Sequence, residues 1–218
     1  MHKHRLFEIL NKFKKNKLNK FSGSLVSLNK YKDYNDYVNH QKEKTLDPER
    51  IKKLLGEDWD IKVEGFKKIF KRNIKYVSGK KNAICLGSRT GQEVKALIDM
   101  GVTAVGIDLV PFPPYTIEGD IHDIKYADQE FDLVFTNIFD HSLYPDKLCS
   151  EIERITKPNA IIILNLIVGI KPDNYAENTV NNPQKVTELF KKVKIKESKE
   201  INNIFDSLNW ELVLEKLK

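Results

Sequence analysis

Apolar residues recur every three or four positions in the first part of the chain and collect into short runs further on, and the change falls near residue 80. Leu6, Ile9, Leu10, Phe13 and Phe21 stand among lysines at the spacing of an amphipathic helix, which Ser22-Gly23-Ser24 interrupts. Tyr31, Tyr34, Tyr37, Val38 and Gln41 begin a second helical pattern. Asp47 as cap, Pro48 in the first turn and Glu49 at the positive end of the helix dipole predict a third, which Gly56 ends after Ile51, Leu54 and Leu55. A fourth runs from about Ile61, with Val63, Phe66, Ile69, Phe70 and Ile74 on one side. The first 78 residues therefore read as helical.

From Asn82 the apolar positions form runs at 83–86, 104–107, 115–118, 131–136 and 160–168, with helical spacing over 91–100 and 145–156. Strand, helix, strand is the grammar of a parallel sheet, so the predicted class is α/β. After a loop through Pro172 and Pro183, 186–193 reads as a helix, and 194–201 and 209–215 as two strands with no helix between them. Two such strands should pair antiparallel at one edge of the sheet.

The first strand runs into Gly87-Ser88-Arg89-Thr90-Gly91 and then a helix, where an open parallel sheet turns backbone N–H groups and a helix N-terminus toward a ligand. Asp108 ends the second strand, 21 residues after Gly87, where a carboxylate can accept both hydroxyls of a ribose. A glycine turn or a strand-end aspartate alone is as readily structural; the pair at this spacing favours a nucleoside-bearing ligand. The nicotinamide pattern G-x-G-x-x-G would need glycine at Arg89 and Gln92 and is not met.

These residues resemble the class I S-adenosylmethionine-dependent methyltransferases, of the methyltransferase type 11 kind. Cys85-Leu86-Gly87-Ser88-Arg89-Thr90-Gly91 is similar to the family's first motif, an acid-x-Gly-x-Gly-x-Gly, with two of the three glycines. Val105-Gly106-Ile107-Asp108, Glu118-Gly119-Asp120-Ile121 and Phe131-Asp132-Leu133-Val134-Phe135-Thr136-Asn137 resemble the next three, and 151–158 the helix before the fifth strand. The likeness covers 82–168 and, through the closing helix and strand pair, extends to about residue 216. It implies a Rossmann-like sheet of seven strands, the last two an antiparallel edge pair. The helical first 78 residues lie outside the likeness, as an N-terminal extension in the place where the family often carries a substrate lid, ahead of a cofactor-binding domain, 79–218.

The resemblance implies S-adenosyl-L-methionine as cofactor. Gly87 and Gly91 would let the backbone approach its methionine part, with Ser88 in the same turn. Asp108 would hold the ribose beside Leu109, Asp120 would accept from the adenine amino group, and the Ile121 N–H would face the ring nitrogen. His122 would lie at the same rim, and Asn137 would close the floor. Two positions depart from the pattern. Cys85 stands where the family has an acid, and Arg89 replaces the middle glycine, where it is expected to pair with the methionine carboxylate, a surface-pointing arginine being the alternative.

Pro111, Pro113 and Pro114 forbid the helix usual between the second and third strands, so 110–115 should cross as an extended loop that brings Leu109 and Phe112 toward the adenine. Asp140 and His141, after the fourth strand, are the candidates for a base or for positioning the acceptor; a helix cap and a solvated loop are the alternatives. Tyr34, Tyr37 and His40 share a helical face that would either close the acceptor pocket or simply pack. No Cys or His cluster has metal-ligand spacing. The resemblance implies methyl transfer to a small-molecule or carbohydrate-like acceptor. A non-catalytic protein on the same fold and a nucleic-acid methyltransferase stay open as alternatives.

Charge bears on the last of these. The 218 residues carry 37 Lys or Arg and 31 Asp or Glu, yet the first 30 hold eight of the bases and one acid, leaving the remainder at net −1. The basic arm is therefore the feature that speaks for nucleic acid, against a body with no recognised nucleic-acid module. Two cysteines far apart argue against a disulfide framework, and the longest apolar stretch, 160–170, is too short for a membrane helix. With no secretory leader evident, a cytoplasmic location is expected.

Overall fold

The computed structural model describes residues 30–171, 173–202, 205 and 207–218. The amphipathic pattern over 6–21, and with it nearly all of the basic arm, lies outside the described residues. The strands are β1 (Asn82–Leu86), β2 (Thr103–Asp108), β3 (Thr116–Glu118), β4 (Phe131–Thr136), β5 (Thr156–Leu166), β6 (Val193–Glu200) and β7 (Trp210–Lys216). They form one sheet in the order β3-β2-β1-β4-β5-β7-β6. The first five are parallel, and β7 runs antiparallel to both β5 and β6. The seven-stranded α/β sheet with its closing antiparallel pair is thus as the sequence predicts.

Among the described residues four helices precede the sheet: α1 (Tyr34–Leu46), α2 (Pro48–Leu55), α3 (Trp59–Arg72) and α4 (Ile74–Val77). Within it, α5 (Gln92–Asp99) follows β1, α6 (Pro145–Ile155) joins β4 to β5, and α7 (Pro183–Thr187) precedes β6. The Asp47 carboxylate accepts the Arg50 N–H at 2.7 Å, the expected cap of α2. Ile74 does not continue the apolar side of α3. Asn73 turns its side-chain amide back to Ile69 O, ends that helix, and leaves Ile74 exposed. The helix expected over 186–193 is instead Pro183–Thr187: Asn182 caps it, Pro183 suits its first turn, and the chain leaves it for turns before β6 opens at Val193.

Period-two alternation sends neighbouring strand residues to opposite faces. Ile84, Leu86, Val134, Ile162 and Leu164 pack under α6 with Leu148, Ile152 and Ile155. On the other face Ala83, Cys85, Leu133, Phe135 and Ile163 meet α5 and, from before residue 78, Val63, Phe66, Ile69, Phe70 and Val77. Packing therefore does not break at residue 78: α3 and α4 belong to the core of the sheet. Both cysteines are free and buried.

Candidate functional site

Strand order reverses between β1 and β4, since β2 and β3 lie to one side and β5 to the other. Connections diverge at such a point and leave a crevice at the carboxyl ends of the strands. Leu86 pairs with Ile107 and with Thr136, so Gly87, Asp108 and Asn137 emerge around one opening. The Gly87 and Ser88 N–H groups donate to Ile107 O at 2.9 and 3.1 Å, tying the turn to β2. Gly87 has φ +69° and Gly91 φ +86°, and a Cβ would strike Ile138 at the first and Tyr115 at the second. Between them Arg89 has φ +44°, so the arginine takes the left-handed conformation that the absent glycine would adopt freely.

Asp108 is held by backbone. Its Oδ2 accepts the Arg89 N–H at 2.8 Å and its Oδ1 the Val110 N–H at 3.0 Å. Burial raises this carboxyl above the ordinary aspartate range, against the pull of those N–H groups and of the Arg89 guanidinium. An ionised carboxylate has about four acceptor sites, so both oxygens keep capacity for a ligand's hydroxyls. Asp108, Leu109, Asp120 and Ile121 line an inner compartment closed over by Tyr37 and Gln41 of α1. It is narrow, with about 70 Å³ open to the centre of a water molecule.

Behind Asp120 lies a chain of hydrogen bonds. The Tyr144 N–H points at His122 Nε2 at 3.3 Å, which places the ring proton on Nδ1, 2.8 Å from the Tyr34 hydroxyl oxygen. Tyr34 in turn donates to Asp120 Oδ2 at 2.6 Å, while the His122 backbone N–H donates to Oδ1 at 2.8 Å. Burial works against it, yet the bonds from His122 and Tyr34 hold the Asp120 carboxyl down at about 2. The Tyr34 hydroxyl is pushed above the usual tyrosine range by burial and by Asp120.

An outer compartment of about 410 Å³ by the same measure adjoins the inner one through Lys44, Gly87, Arg89, Ile138 and His141. Asn137, Asp140, Ser88 and Glu93 line it, with Lys62 and Lys171 toward its edge. His141 Nδ1 lies 2.8 Å from Tyr175 O, an acceptor only, so Nδ1 carries the proton and Nε2 accepts from Lys44 Nζ at 3.0 Å. Lys44 also donates to Asp173 Oδ2 at 2.8 Å; burial nevertheless lowers its ammonium, Asp173 opposing. The Asp140 carboxylate stands 3.8 Å from His141 Nε2, and its backbone oxygen accepts the Glu177 and Asn178 N–H groups. Asp140 is no helix cap: α6 starts at Pro145 without a side-chain cap bond.

The structure thus gathers Gly87, Arg89, Asp108, Leu109, Asp120 and Ile121 around the inner compartment. Ser88, Asn137 and Asp140 face the outer one, and His141 reaches both. Three expected residues lie elsewhere. Gly91 lines neither compartment and opens α5 against Tyr115; His122, 1% exposed, sits behind Asp120; Phe112 turns its N–H to the Thr116 hydroxyl. Sequence reasoning missed Lys44, Glu93 and Asp173. Lys44 follows Tyr37 by seven residues, two helical turns, a spacing that could have placed it on the same face. Among the described residues no group of His, Cys, Asp or Glu could hold a metal ion, and no helix is long and apolar enough to cross a membrane.

Residues 84–164 match the family described as "Methyltransferase domain". No curated protein sequence matches the chain. Among solved structures, the 1,6-didemethyltoxoflavin-N1-methyltransferase of Burkholderia thailandensis, with bound 1,6-didemethyltoxoflavin and S-adenosylhomocysteine, superposes with TM-score 0.68 at 9% identity, covering 89% of this chain and 95% of that one. An S-adenosylmethionine-dependent methyltransferase from Archaeoglobus fulgidus gives TM-score 0.57 at 16% identity over 71% of this chain and 94% of its own. A protein of Pyrococcus horikoshii OT3 gives 0.56 at 18% over 69% and 89%. These likenesses establish the fold, and the family match falls on the segment from β1 to β5 that builds the crevice. Residues 84–164 thus carry a methyltransferase domain, on the fold of the class I S-adenosylmethionine-dependent methyltransferases.

Proposed function

We propose that the protein transfers a methyl group from S-adenosylmethionine to a small-molecule acceptor. The observation that carries this reading is the pair of carboxylates, Asp108 and Asp120, facing one compartment across from a turn whose backbone is bare at Gly87. The donor set suits an adenosine: acceptors for ribose hydroxyls at Asp108, an acceptor for an amino group at Asp120, and the apolar sides of Leu109, Ile121 and Ile138 for a base. Bound there, S-adenosylmethionine would supply an activated methyl group on a sulfonium. Gly87, Ser88, Arg89 and Asn137 would hold its methionine end, where the two compartments meet. His122 and Gly91 would act one layer back, orienting Asp120 and the turn.

The chain's own residues then supply alignment and, for a hydroxyl or ammonium acceptor, a place for a proton. Asp140 and His141 serve this in the outer compartment. With Nε2 facing the Lys44 ammonium, His141 becomes a base only when Lys44 turns away, whereas the Asp140 carboxylate makes no hydrogen bond to a described cation. Lys62 and Lys171 at the edge have no carboxylate partner among the described residues, which favours an acceptor with negative charge. We assign the lid role to residues 34–55, because α3 and α4 are core. The Burkholderia neighbour, whose bound ligands are 1,6-didemethyltoxoflavin and S-adenosylhomocysteine, supports a small acceptor.

Titration calorimetry with S-adenosylhomocysteine tests the reading, and binding that Asp108→Ala abolishes is the expected result. A chain that takes up none would be a non-catalytic protein. One observation speaks for that second reading: the Tyr34 hydroxyl already donates to Asp120.

A further inference from the structure

Cys85 is fully buried and uncharged, and it stands where the family's first motif has an acid. Glu93, in the first turn of α5, is close enough that its charge acts on the Cys85 thiol. Its residue is 4% exposed, yet it lines the outer compartment beside the Gly87 turn. Among the described residues no cation lies within ion-pair distance of it, and none but its own backbone N–H hydrogen-bonds to it. A carboxylate buried without a counter-charge is a strongly unfavourable arrangement, and folded chains rarely keep one idle.

We propose that Glu93 binds the α-ammonium group of the cofactor, supplying from the helix the carboxylate that position 85 lacks on the strand. The assignment rests on the methyltransferase reading. A primary ammonium entering beside the turn would bring the missing opposite charge and make a charge-assisted hydrogen bond. Burial first, with Asp108 on β2 adding to it, pushes the Glu93 carboxyl up to about 8; Arg89 in the turn and Lys62 on α3 pull the other way. Lys44, Asp140, His141, Lys171 and Asp173 are the other charged or titratable groups on the same compartment. The carboxyl therefore enters the complex by losing a proton.

The test is calorimetric titration of S-adenosylhomocysteine and of its analogue lacking the amino group, into wild type and Glu93→Gln, at about pH 6.5 and pH 8.5. Wild-type affinity for S-adenosylhomocysteine is expected to rise about twentyfold between the two, following ionisation of a group near 8. Glu93→Gln should bind roughly ten- to a hundredfold more weakly at the higher pH, with that rise gone. The analogue should bind both proteins alike. Thermal melts supply a readout that needs no ligand. With its folded value raised, Glu93 makes the folded chain hold a proton that the unfolded chain has lost from about pH 4.5 upward, so stability falls across that window. Glu93→Gln should melt higher near pH 8 than wild type. Equal affinity of the two proteins at about pH 8.5, or an equal loss toward the analogue, overturns the assignment. Failure of wild type to bind S-adenosylhomocysteine at all overturns the methyltransferase reading, and this one with it.

Discussion

The inner compartment has a wall and a roof built on different principles. The wall comes from strand ends and backbone: Asp108 is fixed by the register of β2 against β1 and β3 and by two N–H groups. The roof is α1, and it touches the wall through side-chain tips. Tyr34 reaches Asp120, the Tyr37 hydroxyl donates to His141 O at 3.0 Å, and Gln41 donates to Tyr175 O and Glu177 at 2.8 Å. A wall made of backbone cannot move without unpairing the sheet. A roof hung on side-chain bonds, each contributing about 1 kcal/mol, can lift while the wall stays.

The sharpest way to break this comparison is Asp108→Asn, which swaps a carboxylate for an amide facing two backbone donors. A loss of about 3 kcal/mol in S-adenosylhomocysteine binding, roughly a hundredfold, is expected by calorimetry, with a stability loss of about 1–3 kcal/mol by denaturant titration. Unchanged affinity would put the ligand somewhere other than this wall. Lys44→Met, in the roof, removes the ammonium from Asp173 and His141 at once. About 1–2 kcal/mol of stability should go, discounted because the Asp173 side chain is half exposed, while S-adenosylhomocysteine affinity shifts by less than about threefold. Tyr34→Phe should cost about 1 kcal/mol of stability and leave affinity unchanged or higher, since Asp120 Oδ2 is freed. Weaker binding in this variant would make Tyr34 part of the wall. The smallest effect is expected in acid. Asp120 has its folded value depressed to about 2, so its stabilisation is full above the unfolded aspartate value near 4 and is lost as pH falls through 2. Acid melts of Tyr34→Phe should show a shallower decline over that window than wild type.

Wall and roof were also unequally legible in the amino-acid sequence. Gly87, Asp108, Asp120 and Asn137 are strand-end residues, and apolar runs locate strand ends closely because each run must be buried on both faces. The roof depends on how one helix is oriented over the sheet, which periodicity does not specify. Tyr34, Tyr37 and His40 were visible as a shared face, but their partners, 86 residues away at Asp120 and beyond, were not. Glu93 was hidden for another reason. A glutamate in the first turn of a helix is ordinary electrostatics, and only its burial beside Cys85 sets it apart. The boundary at residue 78 came from a change of rhythm, and rhythm marks a change of element, whereas the apolar sides of α3 and α4 close the same core as the sheet.

Arg89 carries a consequence for how this chain would evolve. A residue with a Cβ in the left-handed region is disfavoured by roughly 1 kcal/mol or more, and glycine at position 89 would hold the same φ of +44° at no such disadvantage. A population selected for heat resistance alone should drift to glycine there within a few rounds. One selected for turnover under scarce cofactor should keep the arginine, so sequencing position 89 after each regime would report which pressure the turn answers to.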